Sequence, residues 1–227
     1  MKNRKRRAME NSFENSIFAI DISTLADPVV FDRLYQAQRS ERKEKIDRMR
    51  FDSGKRLCLG ASVVMEHALC YAGCDDHDIV ITPQGKPTVE GCFFSISHTD
   101  GVAVCAVSDQ EVGIDIERPR NMSDAVIKRA FTPREIEMAG DDKDRFILLW
   151  TVKESVMKWF GLGLSLMPEY IDILMDDEIK VTILDHPDLN SQAGTLHFST
   201  YRHDDYHITV CSSDENYAGQ ITWINPA

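Results

Sequence analysis

At 227 residues, with 43% hydrophobic and 28% charged side chains, the chain has the composition of an ordinary globular protein, long enough for a sizeable core. A formal net charge of −11 argues against a nucleic-acid binder, because phosphate contacts need a basic surface. No apolar run reaches membrane-spanning length: the best candidate, Leu57 to Cys74, is broken by Glu66 and His67.

The N-terminal MKNRKRRAMENS is basic but lacks the apolar segment of a secretory signal, and reads as a solvated start to the chain. A strand is expected near Ser16–Ile22, then a polar helical stretch from Asp27 to Met49, then a longer helix from about Ser53 to Ala72. The turn PQGKP (Pro83–Pro87) leads into a strand at Cys92–Ser97. Gly101–Ser108 is β-rich, and VGIDIE (112–117) alternates as a strand does. Helices are expected over Ser123–Ala130 and Thr132–Ala139, the latter opening on a Thr cap, a proline and a Glu three residues after the cap. Phe146 to Phe160 has helical spacing and is ended by the glycines of GLGL. The remainder, Ile171 to Trp223, reads as strands separated by polar turns. Six scattered cysteines form no CxxC pair, which speaks against a structural zinc site and for reduced core thiols in a cytoplasmic protein.

Two stretches echo each other. DSGKRLCLGASVVMEHAL and KDRFILLWTVKESVMKWF are both long helices with a basic beginning, and VAVCAVS (Val102–Ser108) resembles ITVCSS (Ile208–Ser213). The chain is expected to form two half-sized α+β units, residues 1–118 and 119–227, packed against each other.

Four motifs carry candidate chemistry. In VGIDIE, Asp115 and Glu117 share one strand face, where like charges raise a pKa or demand a counter-ion. Mg²⁺ would satisfy them, as it takes one or two carboxylates and fills its other sites with water and phosphate oxygens. By itself the spacing better fits a strand end whose acids face water or pair with Arg118 and Arg120, because two acids so spaced are common. In WTVKESVMKWFG, Trp150, Glu154 and Lys158 fall on one helix face with Lys153 at its margin. That is either a surface Glu–Lys pair worth roughly 0.2–0.5 kcal/mol, or a third carboxylate with a lysine for phosphate oxygens. FFSISHTDG places Ser97, His98 and Thr99 at a strand end, either a phosphate-holding corner or a capped turn. GKP sets Lys86 on a rigid turn.

Taken in order, GKP, FSISHTDG, VGIDIE, FTPREIE and LWTVKESVMKWFGLGL resemble the 4′-phosphopantetheinyl transferases, in their long, pseudodimeric surfactin-synthetase-activator form. The resemblance runs from about Ser40 to Leu166. It departs from many relatives at FSISHT, where they carry an asparagine after the phenylalanine and a serine after the histidine. It implies an α+β fold of two similar halves about a pseudo-twofold axis, with the active site in the cleft between them. It also implies transfer of phosphopantetheine from coenzyme A to a serine of an apo acyl, polyketide or peptidyl carrier protein. By the same match Asp115, Glu117 and Glu154 would hold Mg²⁺, or Mn²⁺, on the coenzyme A pyrophosphate. Glu154 would act as base directly or through a water, and Lys158 would contact phosphate and assist the leaving group. Ser97 and His98 would bind the 3′-phosphoadenosine end of coenzyme A, Lys86 would contact phosphate, and Lys153, next to the metal-binding Glu154, would support the same cofactor-binding charge cluster. SERKEKIDRMRFDSGKRLCLG resembles the family's basic helix, so Arg42, Lys45 and Arg56 would face the same phosphates. The expected state is a cytoplasmic monomer that binds neither nucleic acid nor membrane. Two rivals are another Mg²⁺-dependent nucleotide enzyme, disfavoured by the lack of a Walker or kinase signature, and a binding module without turnover, disfavoured by the intact acids.

Overall fold

Two three-stranded motifs of the same order frame the computed structural model, which describes residues 13–215, 217 and 220–226. The basic N-terminal segment singled out above lies outside the described residues. Strand β1 (Ser16–Asp21) is followed by helices α1 (Pro28–Ala37), α2 (Ser40–Asp47) and α3 (Asp52–Tyr71). A small hairpin, β2 (Val80–Ile81) with β3 (Pro87–Thr88), carries the GKP turn, and a larger one joins β4 (Phe93–Thr99) to β5 (Val102–Ser108). The second half begins with β6 (Val112–Glu117) and continues through α4 (Asp124–Ala130), α5 (Pro133–Ala139) and α6 (Lys143–Phe160). The hairpin β7 (Ile171–Met175)–β8 (Ile179–Ile183), helix α7 (Pro187–Ala193), the hairpin β9 (His197–His203)–β10 (Tyr206–Ser212) and β11 (Ile221–Trp223) complete it.

The first sheet has the order β11-β1-β5-β4 and the second β6-β10-β9. In each, a strand, a long helix and a hairpin follow in sequence, and the second hairpin strand takes the centre. The two look-alike segments noted in the sequence are these central strands, β5 and β10. Both are buried along their whole length, so neither alternates apolar with polar. On β5, Ala103, Cys105 and Val107 pack with Val64, Ala68 and Leu69 of α3, whereas Val102, Val104 and Ala106 meet Ile114, Ile116 and Val210 of the second sheet. The layers therefore run α3, first sheet, second sheet, α6, with a shared core between the sheets. This is the two-unit α+β architecture expected from the repeat.

The boundary between the units differs from the one expected after residue 118. Strand β6 pairs antiparallel with β10, so it opens the second unit, and β11 returns to run parallel to β1. A strand belongs to the sheet that holds its hydrogen bonds, and those partners lie some ninety residues on, beyond any local pattern. The stretch Asp27 to Met49 is two helices, split where Gln38 and Arg39 adopt extended backbone. Helix α7 was not anticipated. The capping box of α5 is present as read, with Thr132 N donating to Glu135 Oε2 at 2.8 Å. All six cysteines are free, but only Cys92, Cys105 and Cys211 are buried, and Cys70 is exposed. Among the described residues no helix is long and apolar enough to cross a membrane.

Helix α6 lies directly on β6 because residue 113 is glycine. A Cβ there would stand 1.9 Å from Ser155 O and 2.7 Å from Trp159 N, both backbone atoms of the helix. Neither can swing aside as a side chain would. Gly113→Ala is expected to destabilise the protein by about 3 kcal/mol, the upper end of overpacking costs, lowering Tm by about 6–12 °C for a chain of this size. A melting curve within about 2 °C of the parent would refute the close approach.

Candidate active site

Strands β4 and β6 are neighbouring edges of different sheets. Side-chain hydroxyls at every second position of β4 bridge them. Ser95 Oγ accepts from Ile114 N at 3.1 Å, Ser97 Oγ donates to Asp115 Oδ1 at 2.7 Å, and Thr99 Oγ1 donates to Glu117 Oε2 at 3.0 Å. Alternation sends Asp115 and Glu117 away from the inter-sheet core that takes Ile114 and Ile116.

Asp115 is 5% exposed. Its Oδ1 accepts from Ser97 and from Lys158 Nζ at 2.7 Å, while its Oδ2 is buried with no hydrogen-bond partner. Lys158 also donates to Ile114 O at 3.0 Å, so two of its three N–H groups are fixed. Glu117 Oε2 accepts from Arg120 at 3.2 Å as well as from Thr99. Glu154, one helical turn before Lys158, is half-buried. Burial pushes its carboxyl above the usual range, repulsion from Asp115 and Glu117 adds to this, and Lys158 opposes it. The three acids are thus electrostatic neighbours. Among the described residues they do not stand as a closed three-ligand metal cluster.

Beside them opens a cavity of about 260 Å³ with an apolar wall of Pro87, Phe94, Ile96 and Met157 and with Glu154, Lys158 and Lys86 on its lining. Lys86 donates to Glu111 Oε2 at 2.6 Å and to Trp159 O at 3.1 Å, so it too is anchored by two N–H groups. The turn after α6 closes this end: Gly161 has a positive φ of 63°, and a Cβ on it would meet Lys86 Cδ at 2.6 Å.

The expected site residues do not all gather around the acids. Ser97, His98 and Thr99 do not converge, because strand alternation sends the two hydroxyls to β6 and the imidazole to the other face. The Ser97 hydroxyl donates to Asp115. His98 is exposed, and partial burial together with the Lys158 and Lys45 ammonium groups lowers its pKa. Lys153 is wholly buried and pairs with Glu135 at 2.8 Å, also buried, so it cannot reach the acids around Asp115. One residue along a helix is a turn of about 100°, which here separates the core from the cavity. Arg56 lies on a different depression, with Phe31, Asp52 and Lys55. Arg42 packs against α3, within 3.4 Å of Ser62 Oγ, and Lys45 is exposed and near enough to act on His98. Glu111 went unread in the sequence, and Glu135 was read as a helix-capping residue but not as the partner of Lys153. Each lies far from its lysine along the chain, so no local signal could have shown the pairing. Trp150 is half-buried and packs on Phe131 at the edge of the core rather than on the acids.

A family model for the 4′-phosphopantetheinyl transferase superfamily matches residues 111–211. The 4′-phosphopantetheinyl transferase Sfp of Bacillus subtilis (strain 168) is 30% identical over 197 residues, 82% of this chain and 86% of the relative. The chain belongs to the 4′-phosphopantetheinyl transferase superfamily. The L-aminoadipate-semialdehyde dehydrogenase-phosphopantetheinyl transferase of Schizosaccharomyces pombe is 26% identical over 217 residues, 82% of each chain. A crystal structure of the Helicobacter pylori holo-acyl-carrier-protein synthase in complex with coenzyme A covers 44% of this chain and 96% of its own, at 19% identity and a TM-score of 0.38. In this transferase the segment matched by the family model begins beside β6 and ends within β10, so it takes in the second of the two units together with Asp115, Glu117, Glu154 and Lys158.

Proposed function

We propose that the chain transfers the 4′-phosphopantetheine group of coenzyme A to a serine hydroxyl of an apo carrier protein and releases adenosine 3′,5′-bisphosphate. The observation that carries the site assignment is Asp115 Oδ2. It is a buried carboxylate oxygen without a partner, in a side chain whose other oxygen is already held by Ser97 and Lys158. A buried carboxylate oxygen left unpaired costs about 1–3 kcal/mol or more, and Lys158 meets only the other oxygen, so a cation at Oδ2 would relieve that cost.

Asp115, Glu117 and Glu154 fit a hard divalent cation, since the donors are all carboxylate oxygens. These three would hold Mg²⁺, which when bound draws charge from the pyrophosphate oxygens. The serine oxygen forms a bond to the β-phosphorus, and the bond from that phosphorus to the bridging oxygen breaks. Glu154 receives the serine proton directly or through a water. Without a cation, burial and the neighbouring acids raise its pKa, which favours it as a base; a bound cation would draw that pKa down, which favours the route through a water. Lys158 and Lys86 each keep one N–H beyond their two anchoring bonds, available on the cavity side for phosphate oxygens. Lys45 extends this positive rim, and the lowered pKa of His98 leaves its imidazole a neutral hydrogen-bonding group beside it. One chain supplies the strand acids, the helix acid and the hydroxyls that brace them, which supports a working monomer.

Intact-protein mass spectrometry of an apo carrier protein incubated with coenzyme A, Mg²⁺ and the chain tests this reading. The expected result is a gain of one phosphopantetheinyl group that EDTA prevents. Coenzyme A binding with no gain on fatty-acid, polyketide or peptide carriers would replace the transferase with a binding module.

A further inference from the structure

We propose that Ser97 and Thr99 are positioning residues, which select the oxygen that Asp115 and Glu117 each offer to a divalent cation. The inference rests on the cation reading above and deepens it. Each carboxylate has two oxygens, and the hydroxyls treat the two acids alike. On Asp115 the Ser97 hydroxyl and the Lys158 ammonium both take Oδ1 at 2.7 Å. On Glu117 the Thr99 hydroxyl at 3.0 Å and the Arg120 guanidinium at 3.2 Å both take Oε2. Hydrogen bonds spread over both oxygens would hold either carboxylate just as well. Doubling them on one oxygen leaves the other bare, and on Asp115 the bare oxygen is also buried.

A hydroxyl has one proton to donate. Ser97 and Thr99 have given theirs to the carboxylates, so neither can also donate to a phosphate. Ser95 completes the pattern two residues earlier, accepting from Ile114 N and pinning the backbone that carries Asp115. All three hydroxyls come from β4 in the first sheet, and both acids come from β6 in the second. The acids therefore reach their working orientation only when the two units are docked. Helix α6 cannot do this alone, because Lys158 reaches Asp115 but has no bond to Glu117 among the described residues.

The test is Mn²⁺ binding, followed by electron paramagnetic resonance of the free ion with coenzyme A present, on the full chain. Thr99→Val removes the hydroxyl and keeps the shape, Thr99→Ser keeps the hydroxyl, and Ser97→Ala removes the bond to Asp115. Loss of an outer-shell partner typically weakens metal affinity by roughly 10–100-fold. We expect a loss of that size for Ser97→Ala and Thr99→Val, and parental affinity for Thr99→Ser. The Mg²⁺ concentration for half-maximal transfer should rise by the same factor, with the rate at saturating Mg²⁺ largely kept. If Ser97→Ala and Thr99→Val bind Mn²⁺ as the parent does and only melt earlier, the hydroxyls are mere packing and the proposal falls. If the parent itself takes up no Mn²⁺, the cation reading fails first and carries the proposal with it.

Discussion

Glu154→Gln should lower the transfer rate by roughly 10²–10⁴-fold, the usual worth of a positioned acid or base, and yet raise the melting temperature at neutral pH in EDTA. The first effect follows from charge: an amide of the same shape neither accepts the serine proton nor equals a carboxylate as an oxygen ligand. The second follows from the environment. Burial, with Asp115 and Glu117 nearby, lifts the folded-state pKa of Glu154 above its ordinary value, with Lys158 as the single opposing influence. The folded chain therefore keeps this proton to higher pH than the unfolded chain does. Across the window from the ordinary value near 4.5 up to the raised one, the folded state binds more protons, so stability falls as pH rises. Above the window the full cost of ionising a half-buried carboxylate stands, and glutamine removes it. Melting curves in EDTA should give a variant that matches the parent near pH 4 and exceeds it at pH 7.5. A saturating divalent cation should narrow the gap, since the ionised acid then has a partner. A variant that melts below the parent at pH 7.5 in EDTA would show that Glu154 is held by contacts the structure lacks.

Lys153→Met should destabilise the fold by about 3–5 kcal/mol, the range for removing one partner of a buried ion pair. For a chain of this size that is about 6–20 °C in Tm. The Lys153 ammonium is fully buried and spends all three N–H groups, on Glu135, on Pro168 O at 3.0 Å and on Ile171 O. Burial pushes its pKa down and the Glu135 charge pulls it back up. Glu135 is equally committed, accepting from Thr132 N and Ile173 N at 2.8 Å each. The pair thus ties α6 to the cap of α5 and to the segment entering β7. Methionine leaves Glu135 charged in an apolar core and two carbonyls unmet. The double variant Lys153→Met/Glu135→Gln should recover part of the loss, because glutamine still accepts from a backbone N–H without the stranded charge. Urea unfolding of the two single variants and the double measures this coupling. At a temperature where Lys153→Met remains folded, its KM for coenzyme A should stay near the parental value. A large rise in KM without loss of stability would return Lys153 to the phosphate site.

Much of the fold can be read from local pattern. VGIDIE alternates, and the structure has a strand over those residues with Asp115 and Glu117 on the face away from the inter-sheet core. Thr132-Pro133-Arg134-Glu135 caps a helix as its residue types require. The Phe146–Phe160 periodicity ends at Gly161, where a positive φ lets the chain leave α6. The pairing of VAVCAVS with ITVCSS as matching central strands was visible as a faint repeat. Helix α7 was not visible, because Pro187 at its first turn also fits a polar turn between strands.

The sequence by itself determined the element types, the two-unit plan and the residue types that a phosphate-and-metal chemistry needs. These depend on period, capping and turn preference, all of which act within a few residues. Only the tertiary structure decided which member of each set faces the site. Lys153 and Lys158 read alike along the helix, and they separate because Glu135 and Asp115 lie on different elements packed against α6. Ser97 and His98 are adjacent, and they separate because β6 lies against only one face of β4. Strand β6 joins the second unit because β10 holds its hydrogen bonds. In each case the deciding partner lies at least 18 residues away in the chain, and which of many polar groups becomes that partner is settled only when the sheets and helices pack.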